Sequence, residues 1–528
     1  MPPEEKMGTI SRALISVYDK TGIIELAALL AKKGVSAICT TGTQKLLDKN
    51  GIKTADIGSA GGAGDLFAGA IRTMHPAILA SLMVKPGDAA ALDQLKNMGG
   101  EPIDLLVVNP LPIESPENAP RGKGAKAFDS MDIGALNLIR AALRNADNVV
   151  ILSNPAQYEG FMAAFADGNG SITESLRNKL ALQAAELLAE YDIGIYQHFN
   201  NLAGGGEFLA DTLFLRYKKQ LPLKYGENPH QKAAFFRRPE FEGVSLCDLE
   251  QINGPELSYN NLNDLNTALE IALEFDHDMA VIVKHGNPVS VAMEKDAHTS
   301  FVKAKESDRI SSFGAVVAFN CQVDKKTAKE IETAYTEVLM AVKFTDGALE
   351  VLRASKKTAN MKILKINSKK WAKPAKTICV KSVLGGVIVQ ENDNLLVPED
   401  GQIKMASKRK PTRKQLADLV LAWKVCKYVR SNAIVIVKDG RTLGIGAGQM
   451  SRLDAMKIAI EKAGEEVVGA VMASDAYFPF RNVIDEAAQS GISAIIQPGG
   501  ARRDDEIVMA CDEHNVALCL TGMRHFKH

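Results

Sequence analysis

The sequence predicts an α/β protein built on parallel sheets and divided into more than one domain. Short apolar runs alternate with amphipathic helical stretches over residues 12–153, and the alternation returns from residue 280 onward. Strand, helix, strand repetition lays strands side by side under covering helices, with ligands at the carboxyl ends of the strands. At 528 residues the chain exceeds the ~250 to 300 residues that one hydrophobic core supports.

Taken in order, "RALISVY" (12–18) reads as a strand, "TGIIELAALLAKKG" (21–34) as a helix closed by Gly34, and "VSAICTT" (35–41) as a second strand. "IDLLVVN" (103–109), a helix over "MDIGALNLIRAALRNA" (131–146) and "NVVILS" (148–153) continue the series. A helical stretch within 176–225 gives way to the glycine cluster "NLAGGGE" (201–207), read as the boundary between a first domain, 1–200, and a second, 201–528. Strands are expected near 280–284, 315–319, 384–390 and 433–445, with strand-like runs at 467–473, 493–497 and 516–520, and a division of the second domain near 390. The basic run "KMASKRKPTRKQ" (404–415) holds no aromatic residue on which a base could stack, so it reads as a solvated linker.

Sixty-three basic residues balance sixty-three acidic ones, which removes the electrostatic case for nucleic acid or an anionic membrane. Any anion must be held by a local site. The seven cysteines are scattered, odd in number and never spaced C-x-x-C, as expected of a reducing compartment without a disulfide framework or zinc ribbon. The start, "MPPEEKMGTISRALIS", lacks the basic-then-apolar order of a signal peptide, and no apolar run approaches the ~20 residues that span a bilayer. The expected location is the cytoplasm.

Four segments concentrate chemistry. "AVIVKHGNPV" (280–289) ends an apolar run in Lys284 and His285. A desolvated lysine can form a Schiff base, the pair can move a proton beside a fixed positive charge, and a histidine can simply be satisfied in a turn. Neighbours on an extended chain face opposite sides, so both reach one site only if the strand ends there, as Gly286 and Pro288 indicate. "LKYGENPHQKAAFF" (223–236) packs Lys224, Tyr225, Asn228, His230 and Gln231 into a turn, as a ligand site or as a surface loop. In "LSYNNLNDLNTALEIALEF" (257–275), Asn260 and Asn261 precede a helix and read first as caps. "VRSNAIVIVKDGRTLGIGAGQMSR" (429–452) predicts a hairpin at Asp439-Gly440, then glycines 444, 446 and 448 before a helix started by Ser451 and Asp454. Those glycines fit a dinucleotide loop or close backbone packing, though GxGxG is not the GxGxxG order.

Read together, "KYGENPHQ", "LSYNNLNDL", "VIVKHGNP", "ISSFGAVVAFN", "LAWKVCKYVRSNAIVIVKDG", "GIGAGQMSR", "SDAYFPF", "IIQPGG" and the terminal "TGMRHFKH" resemble the bifunctional purine-biosynthesis family. Its members join phosphoribosylaminoimidazolecarboxamide (AICAR) formyltransferase to IMP cyclohydrolase. Over residues 222–528 the resemblance implies two cytidine-deaminase-like α/β subdomains without zinc ligands. It implies 10-formyltetrahydrofolate as cosubstrate, no metal in the chemistry with room for a structural monovalent cation, and an active site shared across a homodimer, with no nucleic acid or membrane as partner. The formyl group would pass to the 5-amino group of AICAR, a poor nucleophile that needs assisted proton removal and a stabilised tetrahedral intermediate. By the matching motifs, His285 would be the general base. Lys284 would stabilise developing negative charge or protonate the departing folate nitrogen, and Asn432 would align amine and formyl oxygen. Lys224, Tyr225, Asn261, Arg452 and Arg524 would bind the nucleotide, Phe313 and Gly314 would line the base pocket, and Glu337 would supply an acidic contact. Gln449, Ser451, Phe478, Asn482 and Phe526 would bound the folate and nucleotide cleft. Lys224 stands where the family has arginine, a point charge in place of a fork. Asn482 stands where it has aspartate, which leaves room for another donor such as formyl phosphate.

The first domain resembles the family's cyclohydrolase part, a methylglyoxal-synthase-like fold, through "ALISVYDKTG", "TTGT", "RTMHP", "VVNPLP" and "DIGALNLIRAALRN". The family pattern has serine at Tyr18, arginine at Ala70, lysine at Arg72, tyrosine at Leu111 and lysine at Arg144. Leucine cannot relay a proton, and arginine is almost never deprotonated. Cyclohydrolase activity is therefore expected to be weak or lost, with Lys20, Thr43, Arg72, Thr73 and Asp132 left as a residual nucleotide site. One alternative keeps both activities on an altered residue set; another is a non-catalytic nucleotide sensor.

Overall fold

A computed structural model of the chain describes residues 9–60, 71–112, 131–204, 210–239, 241–366, 371, 377–397 and 403–528. Residue 70 and residues 205–207 of the glycine cluster lie outside them. The chain divides into two compact units, Met1–Phe214 and Leu215–His528.

In the first unit, β1 (Arg12–Val17), β2 (Ser36–Cys39), β3 (Ala55–Asp56), β4 (Leu105–Asn109) and β5 (Val150–Leu152) form a sheet in the order β3-β2-β1-β4-β5. Every pairing is parallel. The helices are α1 (Ile23–Lys32), α2 (Thr41–Lys49), α3 (Pro76–Met83), α4 (Ala89–Asn97), α5 (Ile133–Leu143), α6 (Tyr158–Asp167) and α7 (Glu174–Leu202). Alternation along the strands divides the core: Ala13, Ile15, Val17, Leu105 and Val107 join one cluster, and Leu14, Leu106 and Val108 the other. Both faces are covered, which is why these strands read as continuous apolar runs. The strand order reverses at β1, with β2 on one side and β4 on the other, and a doubly wound sheet opens its ligand crevice at such a place.

The second unit begins with a hairpin, β6 (Lys218–Leu223) and β7 (Ala233–Arg237), and contains another, β14 (Ile378–Val383) and β15 (Gly386–Glu391), each a separate two-stranded sheet. Its remaining strands are β8 (Leu249–Asn253), β9 (Met279–Lys284), β10 (Asn287–Met293), β11 (Ala315–Val323), β12 (Thr336–Phe344), β13 (Lys362–Ile366), β16 (Lys404–Met405), β17 (Ile434–Lys438), β18 (Arg441–Gly446), β19 (Val471–Ser474), β20 (Ala494–Gln497) and β21 (Ala517–Leu520). They form one twelve-stranded sheet in the order β16-β21-β20-β19-β17-β18-β10-β9-β11-β12-β13-β8. Its helices are α8 (Tyr259–Ala272), α9 (Ala297–Ser307), α10 (Lys325–Ile331), α11 (Asp346–Ala354), α12 (Arg413–Cys426), α13 (Arg452–Ala463), α14 (Asn482–Gln489) and α15 (Asp504–Glu513).

This sheet is two copies of one plan. Helix, antiparallel hairpin and then three helix–strand steps run from α8 to β13 and again from α12 to β21, and the copies meet where β10 pairs antiparallel with β18. From the capping box of the first helix through the hairpin, an offset of 154 residues relates them. Ser258 and Asn261 form the capping box that starts α8, and Thr412 and Gln415 form the one that starts α12. "VIVKHG" (281–286) recurs as "VIVKDG" (435–440), and the register slips at Val289 in one hairpin and at Leu443 in the other.

The basic run at 404–415 is not a solvated linker. Lys404 and Met405 pair with β21, the Arg409 guanidinium donates to the carbonyls of Ser493 (3.0 Å) and Asn515 (2.6 Å), and Arg413 opens α12. Lys410 likewise donates to the carbonyls of Met405 and Ser407. Glycines 444 and 446 are explained by packing, since a Cβ on either would stand 1.9 Å from the carbonyl oxygen of Ala459 or Ala455 in α13. No helix of the described residues is long and apolar enough to cross a membrane.

Candidate active site

β9 delivers Lys284 and His285 to a two-residue turn in which His285 (φ 55°) and Gly286 (φ 71°) are both left-handed before β10 returns. Such a turn favours glycine, and histidine is among the residues that tolerate it. The strain is held from below. Asp264 of α8 accepts the amides of His285 (3.2 Å) and Gly286 (2.6 Å). Burial raises the Asp264 carboxyl above its usual range, and these two amides and the nearby imidazole oppose the rise. The His285 side chain is exposed in the single chain, so the strand end does not by itself exclude bulk water.

The Lys284 ammonium donates to the carbonyl of Phe313 at 2.7 Å. Phe313 packs against Tyr335 with ring centroids 5.2 Å apart, and Gly314 turns the chain there with φ 71°. Glu337, at the head of β12, accepts from Asn261 (2.9 Å) and Lys362 (3.2 Å). Burial alone would raise its carboxyl; the bonds from Asn261 and Lys362, with the charges of Lys362 and Lys284, bring it below the usual range. Asn261 is both the closing residue of the α8 capping box and the link to Glu337. The loop bearing Lys224 and Tyr225 reaches this corner through Asn260, which donates to the Glu227 carbonyl at 3.4 Å.

A second group stands at the head of β17. Asn432 donates its side-chain amide to the Gln449 carbonyl at 2.7 Å, and Ser431 donates to the buried Asp475, which Arg452 meets at 3.5 Å. The chain terminus lies over them, with the Phe526 ring 4.5 Å from the Arg524 guanidinium and 5.7 Å from that of Arg452. Ser451 caps α13 through its hydroxyl. The two groups are joined across the β9–β10 turn, where Asn287 accepts the Arg430 amide at 3.1 Å. Among the described residues no three His, Cys, Asp or Glu side chains gather to hold a metal ion.

In the first unit, Asn109 at the end of β4 accepts the amides of Tyr18 and Asp19, each at 2.7 Å. Lys20 donates to Thr43 at 2.9 Å, Arg72 donates to Thr41, and Asp132 caps α5 while accepting the Leu111 amide at 3.2 Å. Thr73 is buried close by in sequence to Arg72. Burial lowers the Lys20 ammonium pKa and pushes the Cys39 thiol up to about 11. These groups stand at the carboxyl ends of β1, β2 and β4 and at the starts of α2 and α5, and a helix N-terminus favours an anion.

A family model described as the AICARFT/IMPCHase bienzyme matches residues 142–462. Proteins named "Bifunctional purine biosynthesis protein PurH" from Bacillus thuringiensis subsp. konkukian (strain 97-27) and Bacillus cereus (strain AH820) are each 40% identical over 517 residues, covering 98% of this chain and 99% of the relative. The chain belongs to the AICARFT/IMPCHase bienzyme family. A solved structure described as "Crystal structure of ForH" covers 36% of this chain and 100% of its own at 25% identity, with a TM-score of 0.33.

Within that family frame, the structure gathers Lys284, Asn261, Phe313, Gly314 and Glu337 in one group and Gln449, Asn432, Ser451, Arg452, Arg524 and Phe526 in the other, with His285 at the seam. Phe478 stands apart: it is fully buried in the core of the second half, and its amide donates to Gln497 at 2.8 Å. Asn482 is exposed as the first residue of α14. The motifs did not single out Asp264, Arg430 or Asp475, although the repeat of "VIVKHG" as "VIVKDG" points to Asp264, because Asp418 sits 21 residues before its own turn in the same way. The expectation of weak or lost cyclohydrolase is not carried forward. The alignment with relatives named bifunctional covers 98% of this chain and so extends over both units.

Proposed function

We propose that the chain is a bifunctional enzyme that formylates AICAR from 10-formyltetrahydrofolate and then closes the product to IMP. One observation carries the first step: the turn holding Lys284 and His285 is hydrogen-bonded, through Asn287 and Arg430, to the segment that carries Asn432 into β17. The AICAR amine forms a bond to the formyl carbon while His285 removes its proton. Lys284 meets the charge that develops on the formyl oxygen, or protonates the folate nitrogen as its bond to carbon breaks. Arg452, Arg524 and Lys224 supply cations for the nucleotide phosphate, and the Phe313–Tyr335 pair an aromatic wall for the base. Ring closure belongs to the crevice of the first unit, where Lys20, Thr43, Arg72, Thr73 and Asp132 line the strand ends. We read the first unit as methylglyoxal-synthase-like and the two halves of the long sheet as cytidine-deaminase-like.

The working form is a homodimer with the active site at the interface. Two features support it. His285, Lys224 and Arg524 are exposed in the single chain, so the cleft lacks a wall. The two free hairpins expose Leu221, Phe236, Val387 and Ile388, and a lone hairpin needs cover to be stable in water.

Incubating the protein with AICAR and 10-formyltetrahydrofolate, then separately with formylated AICAR, tests both steps. IMP from both incubations is expected. Formylated AICAR accumulating without IMP would remove the second activity, and no folate turnover would remove the first.

A further inference from the structure

We propose that His525 is a positioning residue of the nucleotide site, a buried peg that fixes the chain terminus so that Arg524 and Phe526 stay over the cleft. The proposal rests on the reading of Arg524 as a phosphate-binding cation given above. The terminal segment crosses the second group of site residues as an extended strap. The amide of His525 donates to the Asp475 carbonyl at 3.0 Å, and the Ser431 amide donates to the Lys527 carbonyl at 3.0 Å. Both bonds land on residues that flank or touch Asn432 and Arg452. Successive side chains of an extended segment point to opposite sides, and the exposures alternate accordingly: Arg524 and Phe526 are exposed, whereas His525 is 1% exposed.

The buried ring is held at every polar atom. Its Nδ1 meets Asp393, its Nε2 stands 3.3 Å from the Leu396 carbonyl, and its ring centroid lies 4.9 Å from that of Trp423. Trp423 donates to the same Leu396 carbonyl at 2.7 Å. Asp393 is 3.9 Å from Lys427, which lies 3.2 Å from Glu274, and Tyr428 also donates to Glu274. The side chains of Lys427 and Glu274 are 2% and 5% exposed. A network of this kind has one low-energy arrangement, because moving any member strands a buried polar partner. It therefore holds the strap at a defined depth, while Arg524 and Phe526 carry the contact with substrate. Segment 393–396 follows directly on the exposed hairpin of β14 and β15, so the peg also ties the strap to the arm proposed to cover a second copy.

The test is a double-mutant cycle on the full chain, read as separate KM and kcat values. His525→Leu removes both polar contacts at similar volume and should raise the KM for AICAR about tenfold or more, with kcat within about threefold and the KM for the folate donor unchanged. Arg524→Ala should raise the same KM, and the double variant should add little to the larger single effect, because both changes remove one interaction. Asp393→Asn, at the rim of the network, should move the same KM in the same direction and serves where His525→Leu does not fold. An unchanged KM in Asp393→Asn and His525→Leu, or fully additive effects with Arg524→Ala, would overturn the peg. An unchanged KM in Arg524→Ala alone would instead overturn the phosphate reading beneath it.

Discussion

The carboxylate of Asp264 accepts the backbone amide of His285 at 3.2 Å, tying the residue read as the base to the helix that precedes its strand. Asp418 does the same for Asp439 at 3.1 Å in the second half of the sheet. One fold device thus appears twice, and only one copy carries histidine.

Replacing each aspartate separates stability from chemistry. Asp264→Asn and Asp418→Asn each leave one acceptor oxygen for two amides and should each cost about 1 to 3 kcal/mol of stability. Asp264→Asn should also slow formyl transfer about tenfold to a hundredfold by letting the base drift, whereas Asp418→Asn should leave turnover unchanged. Denaturant unfolding and steady-state rates on both variants check this; equal loss of turnover in the two would dissociate the turn from catalysis.

The pH dependence of stability carries two opposite contributions in this corner. Glu337 titrates below the ordinary carboxylate range, so its stabilisation is present above the unfolded value of about 4.3 and is lost as pH falls through the folded one. Asp264 titrates above its ordinary range, so its stabilisation is present below about 3.9 and is lost as pH rises through the folded value. Glu337→Gln should therefore flatten the acid limb of an unfolding midpoint profile, and Asp264→Asn should remove a loss on its higher side. An acid limb unaltered in Glu337→Gln would contradict the first assignment.

Much of the fold is legible in the sequence. The apolar runs marked β1, β4, β9, β17 and β20 because strands buried on both faces cannot hide their composition. Asp439-Gly440 announced its hairpin. The equivalent hairpin at His285-Gly286 shows in the sequence only as a strand end, because Pro288 argues against a following strand; in the fold Pro288 sits at the register slip beside Val289, where a proline is tolerated. The run at 404–415 misled because its charge is conspicuous and its partners, the carbonyls of Ser493 and Asn515, lie more than 80 residues away. The His525–Asp393 contact, spanning 132 residues, has no local signature at all.

In the first unit, Lys20→Met removes the ammonium that braces Thr43. The KM for formylated AICAR should rise about tenfold to a hundredfold, in line with the loss of one charge-assisted contact of about 1.5 to 3 kcal/mol. Formyl transfer should be unaffected. A parallel fall in both activities would show that the two units do not work separately.

The arm provides a further check on assembly. Ile388 is 55% exposed, so Ile388→Asp should leave the fold of the chain intact while placing a charge in the proposed interface, at a cost of more than about 2 kcal/mol in association. Sedimentation should show dimer for the parent chain and monomer for the variant, with formyl transfer reduced and ring closure retained. A monomeric parent with full activity would refute the shared site.

The most direct measurement is single-turnover formyl transfer in His285→Ala, made with 10-formyltetrahydrofolate and saturating AICAR. Because His285 is exposed and its turn is held through the backbone, the variant should fold and bind nucleotide normally while transfer falls by about 10² to 10⁴, the range of a lost general base. A rate within a few fold of the parent would contradict the account at its centre.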